Sequence, residues 1–315
     1  MMKLIRDPFQ QKLQSVITIG NFDGVHCGHQ RLIETLIQSS HDLKLPSVLL
    51  TFEPHPTEFF SPISPAPRLM RFSEKWHFIK TYGIDYFYCL KFNKQLAQLS
   101  AEDFVKKVLV DQLGVKKIII GDNFRFGAKR LGDVTLLKTL GKNYGFDVEA
   151  ISQSMVRGDR ISSSRVRDAL HEGNFKMVSE LTNHSFCLTG RVAYGDQIGR
   201  TLGFPTANIH LHRKQVPLMG IFVVRVHGLK NKILPGVASV GYRPTFDGKK
   251  IILEVFLFDF DEVIYGQKIT VEFLEKIRDE VYFDSVSKLI TQIEKDVEIA
   301  KKYFTSNIFK RDDNE

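Results

Sequence analysis

The sequence has no long apolar run and few cysteines, and both features exclude whole classes of protein. No stretch of the 315 residues approaches the roughly 20 apolar residues that a membrane-spanning helix needs, so we expect no membrane association. The segment Met1–Gln14 lacks the apolar core of a secretory signal, which predicts a cytoplasmic protein. Cys27, Cys89 and Cys187 are far apart and odd in number, which fits a reducing compartment better than a disulfide scaffold.

Repeats and low-complexity segments are also absent, and the composition is that of an ordinary globular protein. Hydrophobic residues make up 43% and charged residues 25% of a chain long enough for two domains. The formal net charge of +8 favours anionic partners, either nucleotides or nucleic acid. Most of this charge is scattered, but four arginines are clustered: Arg157, Arg160, Arg165 and Arg167.

Strand and helix patterns alternate over the first part of the chain. This alternation predicts a doubly wound parallel α/β sheet, whose ligands bind outside the carboxyl ends of the strands. The turns after Ile19, Phe52 and Ile120 are therefore the expected places of a binding site. The expected strands are residues 16–19, 47–52, 85–90, 117–120 and 146–151.

The pattern changes near residue 183, where we place the boundary between domains of residues 1–183 and 184–315. Short β-rich runs broken by glycine and proline extend from Phe186 to Leu274, and they predict a small antiparallel barrel or sandwich. Apolar residues at helical spacing between residues 285 and 304 predict one long C-terminal helix.

The stretch Gly20–His29 reads GNFDGVHCGH and follows a short apolar strand. A glycine-rich turn between a strand and a helix directs backbone N–H groups and the positive end of the helix dipole at one point, which suits a phosphate. His26 and His29 lie three residues apart and can share one helix face, where imidazoles can donate to phosphate oxygens. For the isolated motif, a strand–turn–helix with two incidental histidines is equally compatible.

Two more loops follow predicted strands. The first, TFEPHP, holds His55 between two prolines at a loop tip, although a rigid turn alone would explain it. The second, GDNFRFG, contains Phe124 and Phe126, which could stack on an aromatic ring, and Arg125, which could meet a phosphate. The plainer alternative for this second loop is a hydrophobic anchor.

A serine run, Ser162–Ser164, precedes a predicted helix and is flanked by arginines that include Arg160 and Arg167. Free N–H groups, hydroxyls and guanidinium groups together suit a polyphosphate. Capping of the helix is the usual function of such serines. The four clustered arginines nevertheless favour an anion site here.

The second half contains the glycine-rich segment GDQIGRTLGFPTAN, from Gly195 to Asn208. Its glycines leave room for backbone to approach a ligand. Thr206 and Asn208 are two residues apart, so in an extended segment they face the same way, and their neutral oxygens suit Mg²⁺. A glycine-rich barrel loop with an Asx turn is the alternative, and the segment is not a Walker A sequence.

Glu254 lies in the strand pattern ILEVFLFDF, where alternation places it on one face with Ile252, Phe256 and Phe258. A carboxylate among apolar neighbours is poorly solvated, and this environment suits a general base acting on an alcohol. The alternative is an edge-strand glutamate that points to solvent.

These motifs resemble known families. HxGH followed by RISSSRVR resembles the HIGH superfamily of nucleotidylyltransferases, and the KMSKS loop of class I aminoacyl-tRNA synthetases is absent. GNFDGVHxGH, TFEPHP, GxNFRFG and RISSSRVR together resemble the adenylyltransferase module of the bacterial bifunctional riboflavin kinase/FMN adenylyltransferases, the prokaryotic FAD synthetases. GRTLGFPTAN, GVAxxGxRPTF and LEVFLFDF resemble their riboflavin kinase module. Departures are small: Asn123 and Ser164 replace a frequent Asp and a Thr, and residues 221–222 and 262–265 differ from the usual pattern.

The resemblance implies an α/β doubly wound nucleotidylyltransferase domain followed by an all-β Greek-key barrel with a C-terminal helix. It implies ATP-dependent phosphorylation of riboflavin to FMN by the second domain, then adenylyl transfer from ATP to FMN by the first, giving FAD and pyrophosphate with Mg²⁺. The expected partners are these small molecules and no nucleic acid, for a monomer or weak oligomer. Two alternatives stay open: a lone FMN adenylyltransferase with an inactive barrel, and a nucleotide- or RNA-binding protein.

The resemblance also implies roles for individual residues. Catalytic groups of the first domain would be His26, His29, Arg160, Ser163 and Ser164. Its further ATP contacts would be Gly20, Asn21, Phe22, Asp23, Gly24, Ser162 and Arg167, and its flavin contacts His55, Asn123, Phe124, Arg125 and Phe126.

In the second domain, the resemblance implies that Glu254 is the catalytic base, with Mg²⁺ on Thr206 and Asn208. The implied ATP contacts are Gly195, Gly199, Arg200 and Thr201, and the implied flavin contacts are Gly203, Phe204 and Arg278.

Overall fold

In a computed structural model, the chain is described for residues 2–6, 13–195, 198–213, 215–230, 232–245 and 248–308. The chain divides into two units, Met1–Ser163 and Ser164–Glu315. The expected boundary between residues 183 and 184 stays a prediction. Phe246, at the end of the GVAxxGxRPTF segment, lies outside the described residues.

A six-stranded parallel sheet forms the centre of the first unit, which confirms the predicted fold class. Its strands are β1 (Lys3–Ile5), β2 (Ser15–Ile19), β3 (Ser47–Glu53), β4 (Tyr86–Lys91), β5 (Val115–Gly121) and β6 (Asp147–Ile151). They lie in the order β1-β4-β3-β2-β5-β6. Every residue of the central β2 is buried, as an apolar strand covered on both faces requires.

Helices cover both faces of this sheet. One core layer includes Ile17, Leu50 and Leu137, and the other includes Val16 and Ile33. The helices of the first unit are α1 (Cys27–Leu43), α2 (Pro56–Phe60), α3 (Phe72–Lys80), α4 (Lys94–Gln98), α5 (Ala101–Phe104) and α6 (Val134–Tyr144), with a π-helix (Val105–Gln112) and a 3₁₀ turn (Ala128–Arg130).

The segment between Ser100 and Gly114 is not a single α-helix. Ser100 caps its start, because the Ser100 hydroxyl oxygen accepts the Asp103 N–H at 3.0 Å. The α-helix of α5 then continues as the π-helix, which ends at Gln112. Periodicity in the sequence does not distinguish these two helical forms over so short a run.

A closed antiparallel barrel forms the second unit, so the barrel is confirmed over the sandwich. Its strands lie in the order β10-β13-β12-β11-β14-β9 around the barrel. They are β9 (Cys187–Ala193), β10 (Thr206–His210), β11 (Gly220–Leu229), β12 (Lys232–Thr245), β13 (Gly248–Leu257) and β14 (Lys268–Arg278). The short hairpin β7 (Met155–Val156) and β8 (Asp159–Arg160) belongs to the first unit.

The predicted C-terminal helix packs on the barrel. Ala300 of this helix forms an apolar cluster with Val223 and Phe258. Across the described part of the chain, no helix has both the length and the apolar character required to span a bilayer. The remaining helices are α7 (Ser163–His171), α8 (Phe175–Thr182), α9 (Ile198–Thr201) and the C-terminal α10 (Val286–Ile308).

Candidate active sites

Three of the predicted loops meet at one edge of the parallel sheet. Strands β3, β2 and β5 are adjacent in the sheet, and they end at Glu53, Ile19 and Gly121. Because the carboxyl ends of parallel strands share an edge, the HxGH turn lies between the TFEPHP and GDNFRFG loops. The topology therefore supports the sequence-based choice of this edge.

The turn between β2 and α1 has an unusual backbone. Phe22 and Val25 have positive φ angles of 48° and 35°, and Gly24 has a φ of 78°. A Cβ atom at Gly24 would lie 2.6 Å from Leu69 Cδ1, so only glycine fits there. The Phe22 ring is fully buried in the core, which leaves its backbone as the part that can face a nucleotide.

His26 and His29 form a stacked pair with ring centroids 3.6 Å apart and an interplanar angle of 13°. His26 caps α1, since its Nδ1 accepts the His29 N–H at 3.3 Å. An imidazole nitrogen that accepts a hydrogen bond is unprotonated, so a neutral His26 carries its proton on Nε2. The Nδ1 atom of His29 is buried and has no hydrogen-bond partner within the described residues.

Both imidazoles are uncharged at neutral pH. Burial lowers the pKa of His26 from 6.5 to about 4, and the charge of Arg160 acts in the same direction against Asp23. Burial also lowers the pKa of His29 well below 6.5, with further contributions from His26 and from the Lys75 ammonium. The pair can therefore donate hydrogen bonds to an anion as neutral groups.

Asp23 ties this turn to the serine segment. Its carboxylate is buried and accepts the N–H groups of Leu69 and Met70 at 3.0 and 3.1 Å. Its backbone carbonyl accepts the hydroxyl of Ser163 at 2.8 Å. The carboxylate of Asp23 is thus structural, and its backbone carbonyl places Ser163 beside the HxGH turn.

The remaining members of the serine segment are only partly placed by these contacts. Ser162 is half-buried, and Arg160 is exposed while its charge acts on His26. Ser164 and Arg167 belong to the second unit, and their contact with a nucleotide stays a prediction.

His55 belongs to the same electrostatic network. Its Nδ1 accepts the Thr57 N–H at 3.2 Å and caps α2. Burial lowers the pKa of His55 to about 4, and the charges of Lys75 and Arg68 act in the same direction while Asp23 opposes them.

Sequence reasoning missed Arg68 as the centre of an ion-pair cluster beside this loop. Its Nη2 lies 2.7 Å from Glu53 Oε1, and its guanidinium also pairs with Glu58. Glu53 belongs to the TFEPHP motif and Glu58 follows that motif, but nothing in the local sequence connects them to an arginine further along the chain.

The GDNFRFG loop contains one buried and one half-buried ring. Phe126 is only 6% exposed and packs against Phe104 at a centroid distance of 6.0 Å, as a hydrophobic anchor does. Phe124 stacks on Phe126 at 5.5 Å and is half-buried. Arg125 pairs with Asp133 at 3.2 Å. Phe124 is therefore better placed than Phe126 to meet a flavin.

An aromatic cluster that the sequence analysis missed combines rings of α2 and β3 with Phe92, which follows β4. Phe59, Phe60 and Phe92 have ring centroids 5.3 to 5.7 Å apart, and Phe52 adjoins Phe92. Phe60 is 66% exposed. An exposed ring so close to His55 in the sequence is a candidate platform for an aromatic ligand.

In the second unit, the predicted base Glu254 and the predicted metal ligand Asn208 lie on one row of the barrel. Asn208 of β10 is the direct cross-strand partner of Glu254 on β13, and Glu254 is the partner of Ser239 on β12. Directly paired residues in an antiparallel sheet point to the same face. Leu253 and Val255, on either side of Glu254, are fully buried inside the barrel, so the row lies on its outer face.

The glycines of GDQIGRTLGFPTAN make room for these side chains. A Cβ atom at Gly195 would collide with the side-chain amide of Asn208, and one at Gly199 would lie 3.2 Å from Thr206 Oγ1. These glycines thus allow the proposed metal ligands to approach the loop, and their own contact with a ligand stays a prediction.

A cavity of about 340 Å³ opens beside Thr206. Arg200 lines it, as does the loop from Phe260 to Tyr265. Tyr265 stacks on Tyr194 with ring centroids 3.9 Å apart, a pair that the sequence did not reveal. Phe204 makes an edge contact with Phe256 at 5.5 Å on the face that carries Glu254. Gly203 and Thr201 are exposed nearby in the chain.

Arg278 is the last residue of β14, and Glu280 follows the end of that strand. Arg278 pairs with Asp296 of α10 at 2.7 Å, and its contact with a flavin stays a prediction. The Glu280 carboxylate lies directly against Gly241, where a Cβ atom would collide with it. Burial raises the pKa of Glu280, as does Glu254, against the effect of Arg278. Glu280 is therefore a second carboxylate close to the predicted base, and sequence reasoning missed it.

Two separate groups of polar side chains, each beside a glycine-rich turn, define a protein with two nucleotide-type centres. A family model described as FAD synthetase matches residues 9–165, and one described as riboflavin kinase matches residues 182–304. The chain belongs to the bifunctional riboflavin kinase/FMN adenylyltransferase family.

Individual relatives support this assignment over nearly the full length. The chain is 43% identical over 289 residues to the bifunctional riboflavin kinase/FMN adenylyltransferase of Escherichia coli (strain K12), with 92% of each chain covered. The protein of the same name from Buchnera aphidicola subsp. Schizaphis graminum is 43% identical over 310 residues, which cover 96% of this chain and 99% of that one. A crystal structure described as a macrolide-efflux protein from Streptococcus pneumoniae shares 32% identity and a TM-score of 0.80, covering 95% and 98% of the two chains.

These matches to both halves do not favour the two alternatives. A lone adenylyltransferase with an inactive barrel and a nucleotide- or RNA-binding protein were both compatible with the first motif alone. The predicted bifunctional enzyme is confirmed at the level of family and activity.

Proposed function

We propose that this chain makes FAD from riboflavin in two ATP-dependent steps at two separate centres. One observation carries the assignment of residues: the stacked His26–His29 pair lies in the first unit, whereas the cross-strand pair of Asn208 and Glu254 lies in the second. Each group has the chemistry of one of the two reactions.

In the first step, Glu254 accepts the proton of the ribityl 5′-hydroxyl of riboflavin. The hydroxyl oxygen attacks the γ-phosphorus of ATP, the bond to the β-phosphate oxygen breaks, and ADP leaves. The cavity beside Arg200 and Thr206 accommodates the nucleotide, with Gly195, Gly199 and Thr201 on the adjoining loop. Gly203, Phe204 and Arg278 stay the proposed flavin contacts.

Mg²⁺ fits the donor set of this centre. Among the described residues, no group of three or more His, Cys, Asp or Glu side chains could hold a metal ion, so a cation here depends on other oxygens. Thr206 and Asn208 present a hydroxyl and an amide oxygen on one face of β10, and Glu254 is adjacent. When bound, Mg²⁺ would neutralise charge on the ATP phosphates.

In the second step, a phosphate oxygen of FMN attacks the α-phosphorus of ATP, and pyrophosphate leaves without a covalent enzyme intermediate. The neutral imidazoles of His26 and His29 donate hydrogen bonds to the phosphate oxygens as charge develops on them. Ser163 and Arg160 bind the outer phosphates, together with Ser162. Gly20, Asn21, Phe22, Asp23 and Gly24 form the turn that shapes the site.

The flavin of the second step binds at the two loops beside this turn. His55 and Asn123 supply polar groups, and Phe124 supplies a half-buried ring. Arg125 is exposed and close enough to Asp133 to be held by it. Phe126 supports the loop from the core, and Phe60 offers a second exposed ring.

The enzyme works on small molecules in the cytoplasm, as a monomer or weak oligomer and without nucleic acid or a membrane. Cys27, Cys89 and Cys187 are far apart in the chain and odd in number, which supports a reducing compartment. Light scattering coupled to size exclusion tests the oligomeric state, and a stable higher oligomer would contradict it.

The decisive experiment is to incubate the purified protein with riboflavin, ATP and Mg²⁺ and to separate the flavins by chromatography. FMN should appear first and FAD should follow. If FAD forms only from added FMN, the kinase centre assigned to Glu254 is refuted. If FMN accumulates without FAD, the centre assigned to His26 and His29 is refuted.

A further inference from the structure

Lys75 is a buried cation that the two reactions, as described, do not use. It lies on α3, and only 3% of its surface is exposed. Its Nζ donates to the backbone carbonyl of Asn21, and the hydroxyl of Thr51 donates to the same carbonyl at 3.4 Å. Asn21 directly precedes Phe22, where the turn first enters the left-handed region. Two donors therefore fix the peptide at the point where the HxGH turn leaves β2.

Several titratable groups act on the charge of Lys75. Burial lowers the pKa of Lys75, and Asp23 opposes this effect, as do Glu53 and Cys89, while Arg68 adds to it. A buried charge is costly unless it is paired, and groups of this kind concentrate at functional sites. The position of the ammonium, beside the turn and opposite Asp23, thus calls for a functional reason.

We propose that Lys75 is a positioning residue for adenylyl transfer, which holds the carbonyl of Asn21 and thereby the turn that presents His26 and His29 to ATP. The inference rests on the role proposed for these histidines. Lys75 itself is too deeply buried to touch the nucleotide, so its effect passes through the backbone and through its charge.

The charge of Lys75 acts on two of the neutral histidines. It lowers the pKa of His29, on which burial and His26 act in the same direction. It also lowers the pKa of His55, which is faced as well by Asp23, Arg68 and Glu58. Burial is the main reason why both imidazoles are uncharged, and the ammonium of Lys75 adds to it. An uncharged His29 can act as a donor without repelling neighbouring cations.

The test is Lys75→Met, which keeps the unbranched side chain but removes the donor and the charge. Misplacing catalytic groups by about 1 Å can cost roughly 100-fold in rate, so we expect kcat for conversion of FMN to FAD to fall by about that factor with little change in the KM for FMN. Lys80→Met is the matched control, because Lys80 is exposed on the same helix. It should keep the wild-type rate.

A second readout separates positioning from a general loss of stability. In NMR titrations of the imidazole C–H signals, the midpoints of His29 and His55 should move to higher pH in Lys75→Met and stay in place in Lys80→Met. The acidic limb of the pH profile for FMN-to-FAD conversion should also move to higher pH, because the imidazoles then become protonated at a higher pH. A purely structural role of Lys75 would lower Tm without moving these midpoints.

A folded Lys75→Met protein with wild-type kcat and an unshifted acidic limb would overturn the inference. If Lys75→Met does not fold, the second variant is Thr51→Val, which removes the other donor to the Asn21 carbonyl. This variant should lower kcat for FMN-to-FAD conversion several-fold without shifting the acidic limb of the pH profile. A wild-type kcat in Thr51→Val would also overturn the inference. If His29→Ala loses FAD formation but Lys75→Met keeps full activity, the inference about Lys75 is refuted and the proposed role of the histidines stands. If His29→Ala keeps full activity, both the inference and the proposed role of the histidines are refuted.

Discussion

The ion pair between Arg278 and Asp296 gives a direct test of how the second unit is held together and of what Arg278 does. Asp296 lies on α10 and is only 2% exposed. Its carboxylate accepts Arg278 Nε at 3.0 and 3.1 Å and Nη2 at 2.7 Å, and it also accepts the Gln292 amide at 2.9 Å. Asp296→Asn keeps the shape of the side chain but removes the counter-charge of the guanidinium.

The expected cost follows from this geometry. Removing one partner of a buried ion pair costs about 3–5 kcal/mol, because the other charge stays desolvated. Water reaches part of the Arg278 side chain, which is 19% exposed, so we expect a loss at the lower end, about 3 kcal/mol. For a unit of this size, such a loss lowers Tm by about 10 °C. Glu298→Gln is the control, since its pair with Lys302 is on the same helix but exposed.

The assay is the temperature at which half of the riboflavin kinase activity is lost. The single tryptophan, Trp76, lies in the first unit, so its fluorescence serves as an internal reference that should not change. Equal half-inactivation temperatures for Asp296→Asn and Glu298→Gln would refute the anchoring role of the ion pair. A raised KM for riboflavin at unchanged stability would instead assign Arg278 to the flavin.

Three further predictions concern the two centres. Glu254→Gln should abolish FMN formation from riboflavin by removing the base and leave conversion of FMN to FAD intact; loss of both in a folded protein would show that the centres are not separable. His29→Ala should do the reverse, measured by chromatography of the flavins, and unimpaired FAD synthesis would remove His29 from its role. His26 and His55 have pKa values of about 4 in the folded state, against 6.5 for the free side chain. Between these pH values the folded first unit therefore binds fewer protons than the unfolded chain. Its free energy of unfolding should be highest above pH 6.5 and should fall by about 3 kcal/mol per histidine as the pH decreases to 4. Urea unfolding followed by Trp76 fluorescence measures this change, and a pH-independent unfolding free energy would contradict it.

The parts of the fold that could be predicted are those with a strong hydrophobic pattern. The strand before the HxGH turn is mainly apolar, and Glu254 stands in a clear alternation, so both were assigned to the right element and face. The closed barrel had a weaker signal because β10, which carries Thr206 and Asn208, is only five residues long and polar at its start. Its membership of the barrel depends on pairing with β9 and β13, which are distant in the chain.

Other features have no local signal at all. The hairpin of β7 and β8 turns at Arg157 and Gly158, which both have positive φ angles. Asn, Asp or Gly usually occupies the first position of such a turn, so an arginine there does not indicate it. Arg68 is equally hidden, because its glutamate partners are 10 and 15 residues away in the chain. Such contacts are set by the fold as a whole, so they emerge only from the structure.

In the first centre, buried groups and exposed groups have different electrostatic roles. Its histidines are neutral, and its buried cations are each opposed by carboxylates, Lys75 by Asp23 and Arg68 by Glu53 and Glu58. The buried part of the site therefore supplies directed hydrogen bonds but little net positive charge. Arg160 is exposed, and a charge in that position can follow the phosphates of ATP as they enter. Salt screens exposed charges far more than buried groups, so raised ionic strength should increase the KM for ATP in FAD formation while changing kcat much less.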